Sequence, residues 1–210
     1  MAVRIKKKLN GVSLSKNKHF SGSEAIENIP EPEKIYLPMN MHIGKPAKVV
    51  VSIGQFVRVG TLIGKKDGMI SANIHSSISG VVEKIEERMI GTKRSVVVVI
   101  KNDYKNMIEI PSYLNGNLVE NILTNGIVGM GGAGFPTDVK FHLRKHQKIE
   151  TLVINAVECE PFATADRRII IENTKEFLEN IQLIQKLSNS DSCVIAIENS
   201  SKEAIINLIK

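Results

Sequence analysis

Gly129-Met130-Gly131-Gly132-Ala133-Gly134-Phe135-Pro136-Thr137 is the stretch on which the reading of this sequence turns. Gly129, Gly131 and Gly134 satisfy G-x-G-x-x-G, a spacing that marks a dinucleotide-binding turn only where a strand runs into it. The residues ahead of it, Leu118, Ile122 and Leu123, recur instead at helical spacing, with Gly126 placed to cap their helix. The acid that such a turn wants about twenty residues on, at the end of a second strand, is replaced by Asn155. A conventional Rossmann turn is therefore rejected. The glycines still allow backbone N–H groups to approach a ligand without interference from a Cβ. Thr137 is placed to cap a helix running to about Lys145, whose N-terminus attracts an anion, and Lys140 on that helix adds positive charge. The competing reading is a tight turn whose glycines serve only a positive φ.

Beyond the loop, Glu150 to Asn155 reads as a strand, followed by a polar loop. Phe177, Ile181, Ile184 and Leu187 then mark an amphipathic helix. Cys193 to Ile197 reads as a second buried strand, and a further helix opens from Lys202 to Ile209. Helices alternating with apolar strands indicate a parallel α/β sheet. Two strands do not complete a sheet of that class, so the sequence is expected to stop inside this domain. Glu158, Cys159 and Glu160 lie just past the carboxyl end of the first strand, where open α/β sheets bind ligands. Asn155 offers both a donor and an acceptor to the edge of a heterocycle. A metal reading of Glu158, Cys159, Glu160 and Asp166 mixes hard and soft ligands without a nearby His and is set aside. Asp166, Arg167 and Arg168 read either as a local ion-pair cluster or as part of the site.

Upstream of the loop the character changes. From about Ile35 to Asp103 the chain is rich in Val, Ile and Gly, with short apolar runs at 49–51, 56–59, 62–63, 78–82 and 96–100. Turn residues separate the runs and no helical period is present, the pattern of a small all-β sandwich or barrel. Residues 1–33 are polar and basic and end in Pro30-Glu31-Pro32, a stiff linker signal. Domain boundaries are therefore expected at 1–33, 34–110 and 111–210, with the basic arm read as a solvated tail.

Composition narrows the function classes. The 210 residues carry a net charge of +6, with 42% apolar and 24% charged residues, values of a folded globular protein. No stretch approaches the roughly 18 apolar residues of a membrane span. No apolar segment follows the basic N-terminus, so a secretory signal is not expected and a cytoplasmic protein is. Three Tyr and no Trp argue against a base-stacking surface, so nucleic acid is not an expected partner. Cys159 and Cys193 are too few for a disulfide framework, a zinc site or a four-cysteine cluster.

Gly131-Gly132-Ala133-Gly134-Phe135-Pro136-Thr137 with Lys140 resembles the flavin mononucleotide loop of the complex I 51-kDa subunit and of its RnfC relatives. Asn155-Ala156-Val157-Glu158-Cys159-Glu160-Pro161, then Thr164-Ala165-Asp166, is similar to the second RnfC signature, in which complex I relatives have a serine in place of the cysteine. Met41-His42-Ile43-Gly44-Lys45-Pro46-Ala47, with Gly54, Val57, Gly60, Ile63 and Ser77 to Val82, resembles the barrel-sandwich hybrid of RnfC, a fold similar to lipoyl and biotinyl carriers. Where those carriers present a modifiable lysine, this chain reads Ser71-Ala72-Asn73-Ile74-His75, so a carrier role is not expected and a docking module is. His42 and His75 are read as structural rather than as a paired site.

The resemblance, which covers about residues 35–210, implies an all-β barrel-sandwich hybrid followed by a truncated parallel α/β domain for FMN and NADH. It implies that Gly129, Gly131, Gly132, Gly134, Phe135, Thr137 and Lys140 hold cofactor, the phosphate resting on the glycines and the lysine. Asn155 and Cys159 would border the ring, with Glu158 and Glu160 as the catalytic carboxylates at the nicotinamide. It further implies 4Fe–4S clusters in a missing C-terminal part. The implied partners are other subunits of an electron-transfer complex, through which the protein would sit peripherally on the inner face of the cell membrane. One departure stands out: Phe20-Ser21-Gly22-Ser23-Glu24 lacks the Gly-Gly-x-His-Pro-Pro-like run with which RnfC proteins open. That leaves room for soluble RnfC-like reductases serving cobalamin or proline reductase systems. A non-catalytic fragment or binding module, and a structural protein whose glycines are scaffold only, are the remaining alternatives.

Overall fold

In a computed structural model the described residues are 14–110, 117–130, 132–142 and 148–210. The β-rich part contains β1 (Lys34–Pro38), β2 (Lys48–Val49), β3 (Phe56–Val57), β4 (Leu62–Lys65), β5 (Ile74–His75), β6 (Gly80–Ile90) and β7 (Lys93–Asn102). They form two antiparallel sheets, ordered β1-β7-β6-β3 and β2-β4-β5. Alternation explains the assembly, because residues two apart share a face. Val82, Val98 and Ile100 from one sheet and Ile63 and Ile74 from the other meet in a core with Leu37, Met39 and Val57. Burying each such β-branched side chain stabilises the fold by about 1.5–3 kcal/mol relative to exposure.

The β6–β7 hairpin is longer than the apolar runs at 78–82 and 96–100 suggest. Its outer half carries Glu86, Glu87 and Arg88, so polarity masks a strand held by its ladder to β7. The guanidinium of Arg88 lies 4.5 Å from the centre of the Tyr36 ring on the neighbouring sheet surface. Register slips by one residue between Val82 and Lys84, leaving Glu83 as a bulge that pairs with Lys34 at 2.9 Å.

Helices α1 (Leu118–Thr124) and α2 (Thr137–His142) belong with these strands, in a compact unit spanning Pro30–His146. The α1 end forms a Schellman motif, in which Gly126 N–H donates to Leu123 O and Ile127 N–H to Ile122 O, with Gly126 at φ +66°.

The other unit joins Gln147–Lys210 to the segment ending at Ile29. Its strands β8 (Thr151–Ala156) and β9 (Ser192–Ile197) pair in parallel, Val153 opposite Val194 and Asn155 opposite Ala196. Between them run α3 (Ala165–Glu172) and α4 (Thr174–Ser188), and α5 (Lys202–Ile209) follows. Ala156, Ile170, Ala204 and Leu208 form its buried core, with Phe177, Ile195 and Ile197 packed against it. Helix α3 occupies part of the segment expected as a polar loop, because its charged first turn, Asp166 to Arg168, hides the short apolar run Ile169–Ile171. The described part of the basic arm also differs from a solvated tail: residues 16–26 bond to 158–172 and to Glu198 within the same unit.

Candidate functional site

The glycine-rich loop is a closed hairpin. Thr137 N–H donates to Ile127 O and Gly129 N–H to Phe135 O, both at 2.9 Å, around a bridge between Val128 and Pro136. Those two N–H groups are thus committed to the hairpin rather than turned outward. The tip is different. Gly132 and Ala133 are exposed, and a Cβ built on Gly132 would meet nothing within 4 Å. Lys140, exposed on α2, folds back so that its Nζ lies 3.6 Å from where a Cβ of Gly129 would stand. Phe135 is half-buried, and Gly131 lies outside the described residues.

The base of the hairpin rests on the barrel. Gly134, buried at φ +64°, would carry a Cβ 2.9 Å from Met41 O and 3.0 Å from His42 Cα, so only glycine fits. Ile43 N–H reaches Gly134 O at 3.4 Å. His42 is buried beneath it and bridges two hairpin tips, its Nδ1 donating to Ile43 O and its Nε2 accepting from Ala72 N–H at 3.2 Å. Lys66 Nζ pairs with Asp138 at 2.7 Å, and Asn73 Nδ2 donates to Thr124 O at 3.0 Å. The stretch that carries a lysine in carrier domains is here spent on holding α1 and the loop. His42 and His75 share no hydrogen bond.

In the other unit the carboxylates separate into two environments. Asn155 is exposed, and its Oδ1 accepts from Val157 N–H at 3.1 Å, turning the chain out of β8. Cys159 and Glu160 are exposed. Glu158 is buried, with Oε1 accepting from Asp166 N–H at 2.9 Å and Oε2 receiving Lys18 Nζ at 3.2 Å. It therefore caps α3, whose preceding Thr164 gives its hydroxyl to Ser21 instead. Arg168 pairs with Glu172, and Arg167 donates to Gly22 O at 2.7 Å, so neither arginine joins Asp166 in a cluster. Glu198 feels burial, which alone would raise its pKa, but hydrogen bonds from Lys16 and Ser200 hold it below the usual carboxylate range. Lys18, Lys66 and the bridging role of His42 were not legible as site-supporting residues: each partner lies far away in sequence.

Among the described residues no group of three or more His, Cys, Asp or Glu side chains is arranged to hold a metal ion. No helix among them is long and apolar enough to cross a membrane.

Two family models match this architecture, the RnfC barrel sandwich hybrid domain over residues 6–105 and the Nuo51 FMN-binding domain over residues 122–210. The chain belongs to the RnfC family. It is 36% identical over 204 residues to the RnfC-type subunit of the proton-translocating ferredoxin:NAD(+) oxidoreductase complex of Clostridium ljungdahlii, covering 93% of this chain and 45% of that protein. Its counterpart in the Na(+)-translocating ferredoxin:NAD(+) oxidoreductase complex of Acetobacterium woodii is 33% identical, over 86% of this chain and 43% of its own length. The counterpart in the ion-translocating oxidoreductase complex of Pseudomonas aeruginosa is 33% identical over 94% of this chain and 27% of its own length. This RnfC-family chain thus spans less than half the length of these relatives. Its barrel-sandwich hybrid and its helix-covered parallel strands are the two architectures that the family reading of the sequence implies.

Proposed function

We propose that this chain is the flavin- and NADH-binding part of an RnfC-type electron-transfer subunit. The observation that carries the reading is the glycine hairpin: its base is pinned to the barrel by contacts that only glycine permits, while its tip at Gly132 stands open beside the Lys140 ammonium. A cationic cradle of exposed main chain fits the phosphate of FMN. Gly131, Gly132 and Lys140 are assigned to that phosphate, with Gly129, Gly134, Phe135 and Thr137 shaping the loop that presents it. Asn155 and Cys159 are assigned to the ring, and Glu160 to the nicotinamide approach. Glu158, saturated by Lys18 and Asp166 N–H, acts on that approach through position.

Bound flavin would supply hydride acceptance from NADH and release of single electrons. The protein's share is to neutralise the phosphate and orient the reacting edge. Electrons are proposed to pass to 4Fe–4S clusters held outside these residues, since Cys159 and Cys193 cannot ligate one alone. The names of the relatives support a place beside other subunits of an ion-translocating complex, with cytoplasmic, peripheral membrane association through them.

Titration with FMN, followed by quenching of flavin fluorescence, tests the reading. Saturable quenching is expected, with Lys140→Ala raising Kd at least about tenfold, the loss of one charge-assisted phosphate contact. Equal Kd for the two proteins would remove Lys140 from the site, and no quenching would overturn the flavin assignment.

A further inference from the structure

The segment 16–22 makes a series of contacts to the carboxylate–cysteine segment although about 140 residues of chain separate them. Lys16 O accepts from Phe162 N–H at 2.8 Å. Phe20 stacks on the Phe162 ring with centres 6.0 Å apart. Ser21 shares a hydrogen bond with Thr164 at 2.9 Å. Gly22 lies so close to Arg167 that a Cβ there would strike the guanidinium. Phe162 sits at φ +65°, a conformation that a bulky L residue rarely adopts and that persists only where its surroundings enforce it. Its surroundings here include the strap.

We infer that residues 16–22 are a positioning strap for the segment 158–164, with Lys18 its principal positioning residue. The inference rests on the flavin reading for what that segment is positioned toward.

Lys18 is singled out by chemistry. Its ammonium contacts both the main-chain oxygen of Glu158 and, at 3.2 Å, Oε2 of the same residue, and side-chain exposure is only 10% for the lysine and 9% for the glutamate. A carboxylate taken out of water needs both a counter-charge and hydrogen bonds, and Glu158 has Lys18 for the first and Asp166 N–H for the second. Its lone pairs are committed inward. Glu160, two residues on, remains exposed with Cys159. The strap therefore divides two neighbouring acids into one that anchors the turn and one that faces outward to a ligand. An apolar strap would hold the turn as well, but it would leave the Glu158 charge uncompensated.

The test uses the 210-residue chain with Lys18→Met, which keeps the side-chain length without the charge, and Lys18→Arg as the conservative rescue. Amide hydrogen exchange over residues 157–166 is read beside the FMN and NADH dissociation constants, with exchange in β6 and β7 as the control for global folding. Lys18→Met is expected to speed exchange in 157–166 at least tenfold, to leave β6 and β7 unchanged, and to raise the NADH constant at least fivefold, with Lys18→Arg restoring both. Glu158→Gln should reproduce the loss, and the double variant should be no worse than either single one. Unchanged exchange in 157–166 overturns the strap. Faster exchange with unaltered ligand constants overturns the positioning role while leaving the flavin reading intact. If the wild-type chain binds neither ligand, the flavin reading falls, and exchange alone then decides whether the strap holds the turn.

Discussion

The two units bury their strands in opposite ways. In the barrel, Ile63, Val82, Val98 and Ile100 are wholly removed from solvent between two sheets. In the parallel pair, one face packs on helices while the other leaves Val153 at 59% and Val194 at 50% exposure. Antiparallel sheets tolerate one wet face, whereas parallel sheets are ordinarily covered on both. The contrast teaches that the barrel completes its core from its own strands, whereas the parallel pair is stabilised from one side only. The glycine loop rests on the first kind of support and the carboxylate segment on the second. The 16–22 strap supplements that one-sided support.

The sharpest way to break this comparison is to cut equivalent apolar contacts. Ile63→Ala should lower unfolding stability in urea by about 3–4 kcal/mol through lost transfer energy and a cavity. Val153→Thr should change it by less than about 0.5 kcal/mol, the norm for an exposed position. A large loss at Val153 would show that this face is covered after all.

A smaller effect probes the clasp between barrel and loop. Asp138 is 3% exposed beside Lys66. Lys66→Ala, measured by urea unfolding, should cost about 2 kcal/mol by stranding a buried acid, with Lys66→Arg close to wild type. No difference between the two variants would mean that α2 is held by packing alone.

The smallest effect sharpens the barrel side by pH. Burial pushes the His75 imidazole below its ordinary value near 6.5, against an opposing pull from Glu109. As pH falls the unfolded chain therefore takes up the proton first, so stability is fully present above about 6.5 and declines as pH falls through the lower folded value. Urea midpoints at pH 7.5 and 5.5 should differ more for the wild type than for His75→Gln, by less than about 1 kcal/mol. An identical pH slope in both would assign the dependence elsewhere.

Local signals in the sequence were readable where local physics decides the structure. The runs 62–63 and 96–100 are strands, Gly126 caps α1, and Lys202–Ile209 is a helix. These follow from alternation, positive φ and helical spacing within a few residues. The site was readable as motifs but not as environments. Nothing around Glu158-Cys159-Glu160 in the sequence distinguishes the buried acid from the exposed one, because the difference is imposed by Lys18 from the far end of the chain. The attachment of the loop to the barrel was equally hidden, since Ile43 N–H to Gly134 O is a main-chain contact that leaves no residue preference on the Ile43 side. Helix α3 escaped notice because its cap is a glutamate outside the helix rather than its own Thr164 side chain.

That main-chain mode of attachment has an evolutionary consequence. The hairpin is closed at Ile127–Thr137 and again at Gly129–Phe135, and seated at Gly134, all through backbone atoms. Side chains at its apex can drift, lengthen or be exchanged without unseating the frame beneath them. Selection for a different anion could therefore remodel residues 130–133 alone, and the same scaffold would carry a new specificity.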